Sequence, residues 1–109
     1  MKIISIKENS DFKRLYYRGK SVVKKRIVLY YRKNRFNYNR LGITVSSKVG
    51  NAVVRNRIRR LIRENYRLSD INNGYDIVIV ARSAAAFSDY SEIGTDFKKA
   101  LMETELKKG

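Results

Sequence analysis

The stretch Tyr75-Asp76-Ile77-Val78-Ile79-Val80-Ala81 limits the fold more than any other part of this chain. Its last five residues are all apolar, and four of them are β-branched. A strand with polar and apolar residues in alternation can face water on one side. A strand without that alternation must be covered on both faces, and so belongs at the centre of a sheet. The remaining residues therefore have to supply flanking strands and covering helices.

They do so in a readable order. Arg26-Ile27-Val28-Leu29-Tyr30-Tyr31-Arg32 is β-branched and aromatic, which predicts a strand, with a small one before it near Ser21–Val23. Leu41-Gly42-Ile43-Thr44-Val45-Ser46 alternates strictly. Leu41, Ile43 and Val45 are expected to face the core, and Gly42, Thr44 and Ser46 the other side. The polar stretch Asn34–Arg40 between these two strands reads as a hairpin loop. Ser10 is the expected N-cap of a first helix and Gly19 its C′ residue. Phe12, Leu15 and Tyr16 then share one helical face. Gly50-Asn51 signals a turn, with Asn51 capping a second helix. A last helix is expected from Ser88-Asp89 to about Lys107, packing through Ile93, Phe97, Ala100, Leu101 and Thr104. The order α-β-β-β-α-β-α predicts an α/β (α+β) two-layer sandwich with one sheet, in a single domain over residues 1–109.

The second helix carries the charge. Between Arg55 and Arg63, five of nine residues are arginine: Arg55, Arg57, Arg59, Arg60 and Arg63. At about 100 degrees per residue, Val54, Ile58, Leu61, Ile62 and Asn65 form a seam in line with Asn51. Asn56, Arg60, Arg63 and Arg67 run opposite it, Arg55 and Arg59 flank one side, and Arg57 flanks the other. Like-charge pairs four apart each cost a few tenths of a kcal/mol. Glu64 is the one acid in the run. A polyanion explains such a face better than solvent does, because the planar guanidinium suits phosphate and stacks on bases. The face has no large apolar residues, which argues against a helix lying in a membrane.

The whole chain agrees. Its formal net charge is +15, a balance suited to nucleic acid. Residues 1–68 hold 20 Lys/Arg and 3 Asp/Glu, a balance of +17; residues 69–109 hold 5 and 7, a balance of −2. There is no cysteine and no histidine, which removes disulfides, thiolate metal sites and the usual general base. No apolar run is long enough to cross a bilayer and no signal-peptide pattern opens the chain, so a cytoplasmic location is expected.

Lys48, Gly50-Asn51-Ala52-Val53-Val54-Arg55-Asn56-Arg57-Ile58-Arg59-Arg60-Leu61-Ile62-Arg63-Glu64 resembles the signature helix of the bacterial ribonuclease P protein family. Asp11-Phe12, Tyr16 and Gly19 resemble that family's first helix, and the strands at Arg26–Tyr30, Leu41–Ser46 and Tyr75–Arg82 follow in its order. The resemblance spans about residues 10–105. It implies the fold of the second domain of ribosomal protein S5, with a left-handed β-α-β crossover where right-handed ones are the rule. It implies a protein subunit that has no catalytic or metal-binding residues of its own. The partner would be the catalytic RNA of ribonuclease P, which hydrolyses the phosphodiester with Mg2+, most simply in a 1:1 complex. The second ligand would be the single-stranded 5′ leader of precursor tRNA. Residues carried over for the catalytic RNA are Lys48, Arg55, Asn56, Arg57, Arg59, Arg60, Arg63 and Arg67. Those for the leader are Phe12, Tyr16, Tyr30, Ser46 and Lys48. The chain departs from the family pattern at its ends: only Lys2 and Lys7 are basic before Phe12, and no long basic tail closes it.

Each constellation also has a plainer reading. Phe12, Tyr16 and Tyr30 could stack on unpaired bases, or could fill the space between first helix and sheet. Ser46, Ser47 and Lys48 precede a helix N-terminus, where phosphate can dock, or form an ordinary capped turn. Asp89, Glu92 and Asp96 have the spacing of a metal-binding face, but acids in a first helical turn are also what the helix dipole favours. Arg82 would extend the basic surface. The competing functions are a subunit of an RNA-based endonuclease, a stand-alone basic RNA-binding module such as a ribosomal protein, and a carboxylate-dependent enzyme.

Overall fold

The computed structural model describes residues 3–108; Met1, Lys2 and Gly109, and with them the Lys2 end of the N-terminal arm, lie outside the described residues. The elements are α1 (Asn9–Arg18), β1 (Lys20–Val23), β2 (Ile27–Lys33), β3 (Arg40–Thr44), α2 (Ala52–Arg67), β4 (Tyr75–Ala81) and α3 (Tyr90–Met102), with a short 3-10 helix at Ser83–Phe87 before α3. The four strands form one mixed sheet in the order β1-β2-β4-β3. The apolar run is therefore internal: β4 is antiparallel to β2 and parallel to β3, with Ile79 opposite both Leu29 and Ile43.

Alternation divides the sheet into two unlike faces. Ile27, Leu29 and Tyr31 of β2, Leu41 of β3, and Ile77, Ile79 and Ala81 of β4 pack with Ile58, Ile62 and Tyr66 of α2 and Ile93, Phe97, Ala100 and Leu101 of α3. On the other face, Val78 packs with Leu15 of α1 and Ile6, joined by Phe12, Tyr30 and Val80. The first face is closed by two long helices. The second carries only ten-residue α1.

Four local expectations are corrected. Asn34–Arg40 is not a hairpin loop, because β4 lies between β2 and β3. The loop crosses the start of β4 and is tied to it: Asn34 N–H donates to Gly74 O (2.8 Å) and Tyr75 N–H to Asn39 Oδ1 (2.8 Å). The α1 N-cap is Glu8, not Ser10, and its side chain makes no capping bond. Gly19 has φ −78°, so the left-handed C′ conformation is not why glycine stands there. A Cβ would lie 2.5 Å from Leu15 O and 3.0 Å from Tyr31 O, so close approach excludes any side chain. Finally, α3 stops at Met102 and not near Lys107. Thr104 is outside the helix, where its hydroxyl donates to Leu101 O, and fully buried Leu106 anchors the turns that follow.

Candidate nucleic-acid interface

Helix α2 starts where predicted: Asn51 Oδ1 accepts from Val54 N–H at 3.0 Å. Its seam is also as read from the wheel. Ile58, Ile62 and Asn65 are buried, with Val54 and Leu61 packed at the edge. Tyr66, which the wheel reading omitted, is buried beside Asn65. Burial pushes its phenol up to about 12. Asn65 is a polar residue used as packing: its amide donates to Leu61 O (2.9 Å) and Tyr90 O (3.3 Å).

The cations of α2 are not equivalent. Arg60, Arg63 and Arg67 are exposed and Arg55, Arg57 and Arg59 are half-buried. Arg67 pairs with Glu64 at 2.8 Å, and that hydrogen bond holds the Glu64 carboxyl below its ordinary value. Arg59 donates to Asn56 Oδ1 at 3.1 Å. Arg57 reaches across to the 3-10 segment and donates to the carbonyls of Ala86 and Ser88. Arg55 Nε is buried and has no acceptor among the described residues. Among the described residues, Arg67 is the only α2 arginine within ion-pair distance of a carboxylate. Ser46, Ser47 and Lys48 are exposed on the turns that lead from β3 into α2.

The aromatic residues converge on the open sheet face. The Phe12 ring lies against Gly42, where a Cβ would be 2.5 Å from Phe12 Cε1. One helical turn on, the Tyr16 and Thr44 hydroxyls share a 3.0 Å hydrogen bond. Tyr16 meets Tyr30 edge-on at 5.0 Å between ring centres, and Phe12 at 6.5 Å. Phe12 and Tyr30 are half-buried against Val78, while Tyr16 is 38% exposed. The cluster is partly core and partly surface. A cavity of about 240 Å³ beside β3 is lined by Phe12, Gly42 and Ile43 together with Arg59 and Arg63. The aromatic cleft and the arginine helix thus share a border that neither sequence motif announces.

The acids are occupied elsewhere. Asp89 and Glu92 form a capping box at the start of α3. Glu92 and Asp96 also hold Arg26, at 3.1 and 3.2 Å. Arg82 is exposed and donates to Lys24 O at 2.6 Å. A second aromatic group, absent from the sequence reading, lies in the loop after β2. Phe36 and Tyr38 stack at 5.0 Å with ring planes 15° apart, and the Arg40 guanidinium lies 5.0 Å over the Phe36 ring. Two aromatics at i and i+2 in a polar loop are too short a pattern to distinguish a stacked pair from a strand fragment.

The sequence model of the ribonuclease P family matches residues 2–105. The chain is 46% identical over 112 residues to the ribonuclease P protein component of Clostridium kluyveri, covering 99% of this chain and 100% of that one. It is 43% identical over 110 residues to that of a Thermoanaerobacter strain, covering 99% and 95%. The solved RNase P protein of Staphylococcus aureus superposes with a TM-score of 0.88 at 38% identity, covering 98% of this chain and 100% of that one. The RNase P protein of Thermotoga maritima gives 0.83 at 31% identity, with 93% and 97% covered.

Proposed function

Since the chain belongs to the bacterial ribonuclease P protein family, we propose that it serves that endoribonuclease through two adjoining RNA surfaces, one for the catalytic RNA and one for the precursor's leader. As a subunit of ribonuclease P it acts in tRNA processing. The α2 arginines, with Lys48 and Asn56, contact the phosphates of the catalytic RNA. Phe12, Tyr16 and Tyr30 stack on unpaired leader bases, with Ser46 and Lys48 at the end of the cleft where β3 turns toward α2. Hydrolysis belongs to the RNA and its Mg2+; the chain holds the two RNAs in register, in a 1:1 complex in the cytoplasm. No group of three metal-ligating side chains occurs among the described residues, and no helix there is long and apolar enough to cross a membrane.

The observation that carries this reading is the shared cavity. Arg59 and Arg63 of α2 line it with Phe12 and Gly42, so a strand leaving the arginine face meets the Phe12 end of the aromatic cleft. Stacking tolerates any base, which suits leaders of unrelated sequence.

The test uses holoenzyme rebuilt with Tyr30→Leu or Phe12→Leu. Leucine keeps apolar volume, and a thermal melt checks the fold. Each lost stack is worth about 1–3 kcal/mol, so precursor tRNA affinity should fall by about 5- to 150-fold. Mature tRNA, which has no leader, should bind as before. An unchanged precursor-to-mature ratio in both folded variants would return these rings to core packing.

A further inference from the structure

The loop between β2 and β3 is built more firmly than a connection requires. Asn34 Nδ2 donates to Tyr38 O (3.1 Å) and to Asp76 Oδ1 (3.0 Å), while Asn34 Oδ1 accepts from Phe36 N–H (2.8 Å). Asn39 Nδ2 donates to Asn72 O at 3.0 Å. Two asparagines therefore fix the backbone on either side of Phe36 and Tyr38. The rings stay in the open, 43% and 39% exposed.

Arg40 gives the loop its direction. It lies two residues before Gly42 on β3, so its side chain is on the face that carries Phe12 and Thr44. Its guanidinium bonds Asp76 at 2.8 and 2.5 Å and Asp11 of α1 at 3.3 Å. The Asp76 hydrogen bonds and charge raise its pKa further. With both carboxylates engaged, Arg40 is poorly placed to take a phosphate, and it holds the Phe36 ring from above. Arg35, by contrast, is exposed, adjoins Phe36 in the loop and makes no ion pair among the described residues. Exposed rings held in a fixed stack, with a free cation next to them, are the parts of a single-strand binding site. Because the stack is already formed, a bound base has little left to order.

We propose that Phe36 and Tyr38 form a second base-stacking platform, which takes an unpaired nucleobase of the same leader strand that occupies the Phe12–Tyr16–Tyr30 cleft. The platform rests on the leader reading above and extends it along the open face. From Arg40 to Thr44 along β3 is about 13 Å, well beyond the ~3.4 Å axial rise of one nucleotide in a stacked strand. Platform and cleft therefore receive different bases. Arg35 would hold a phosphate at the platform.

The experiment is an abasic scan. Precursor tRNAs with a leader of about 16 nucleotides, near the upper length that single-strand grooves occupy, carry one abasic position each. Their affinities are measured for holoenzyme with the natural protein, Tyr38→Leu, Phe36→Leu or Tyr30→Leu. The natural protein should show two separated stretches in which removing a base weakens binding about 5-fold or more. Tyr38→Leu and Phe36→Leu should flatten one stretch and Tyr30→Leu the other, with mature tRNA binding unchanged. If Tyr38→Leu and Phe36→Leu leave the scan as it was, the platform proposal fails. It also fails if they weaken precursor and mature tRNA equally, since the base would then come from the catalytic RNA. Loss of the Tyr38 stretch with no effect of Tyr30→Leu or Phe12→Leu would overturn the cleft reading alone.

Discussion

Arg26 and Arg40, on and beside the sheet, are each gripped by two carboxylates, whereas the six arginines of α2 have one acid among them, Glu64. The contrast explains the lopsided charge of the chain. Of the seven acids after residue 68, five hold cations of the sheet half: Asp76 holds Arg40, Glu92 and Asp96 hold Arg26, Glu103 holds Lys24, and Glu105 holds Lys20. The other two, Asp70 and Asp89, sit near Lys108 and cap α3. The acidic C-terminal third is thus folded back as counter-charge for the sheet, and α2 receives none of it. Total charge says that a polyanion is wanted; the pairing says where it goes.

The largest effect should come from the buried side of α2. Ile58 is fully buried, and Ile58→Ala should lower folding stability by about 4 kcal/mol. Urea unfolding measures this, and a loss below about 1 kcal/mol would mean that the seam is not what holds the helix. Next comes the gripped class. Asp96 is buried, accepts from Arg26 N–H at 2.8 Å, and pairs with its guanidinium. Asp96→Ala leaves a half-buried charge and a backbone donor unpaired, at a cost of about 3 kcal/mol, with Glu92 remaining as a partial partner. Urea unfolding measures that loss, and an RNA-binding titration should find the affinity of the folded variant unchanged.

A third effect separates the two sides of α2 by pH. Burial pushes Tyr66 up to about 12, and burial with the Glu105 hydrogen bond does the same for Tyr31. A raised acid pKa means that the fold favours the neutral phenol. Below pH 10 both states keep the proton and this stability is fully present. Between pH 10 and 12 the unfolded chain releases the proton and the folded one does not, so stability falls as pH rises. For Tyr66 the loss approaches roughly 2 kcal/mol by pH 12. Tyr66→Phe should flatten that part of the pH–stability curve. An equally steep decline in the variant would place the titration elsewhere.

What the sequence disclosed follows the range of the interactions. The apolar run of β4, the Asn51 cap and the Ile58–Ile62 seam depend on neighbours within a turn or a strand, and each was legible. Arg26 finds Asp96 seventy residues away, and no local pattern could name that pair. The loop after β2 was misread for the same reason: its neighbour β4 arrives some forty residues later. Gly19 was read by the commonest reason for a glycine at a helix end, when what excludes a side chain is close backbone, Leu15 O first and then Tyr31 O, the second of them distant in sequence. Of the proposed interface, residue types and helical faces were visible. The cavity shared by Phe12, Arg59 and Arg63, and the tying of Arg57 to the 3-10 segment, were not.

The smallest stability effect should come from the unpaired class, and it sharpens the comparison most. Arg63 is exposed and stands four residues from both Arg59 and Arg67. Arg63→Ala relieves two like-charge pairs and installs a better helix former, so stability should hold or rise by a few tenths of a kcal/mol. Its effect should appear in binding: lower affinity for the catalytic RNA, and a slope of log K against log salt that is shallower by about 0.7–0.9, the release of one counterion. Arg60→Ala should behave alike in binding, but it also loses the favourable Arg60–Glu64 spacing and should gain no stability. Arg57 is the internal control, because its guanidinium already serves the carbonyls of Ala86 and Ser88. Arg57→Ala should lower stability measurably and change the salt slope least of the three. If Arg63→Ala instead destabilised the fold and left the salt slope untouched, the division between gripped and unpaired arginines would not describe how this chain uses its charge.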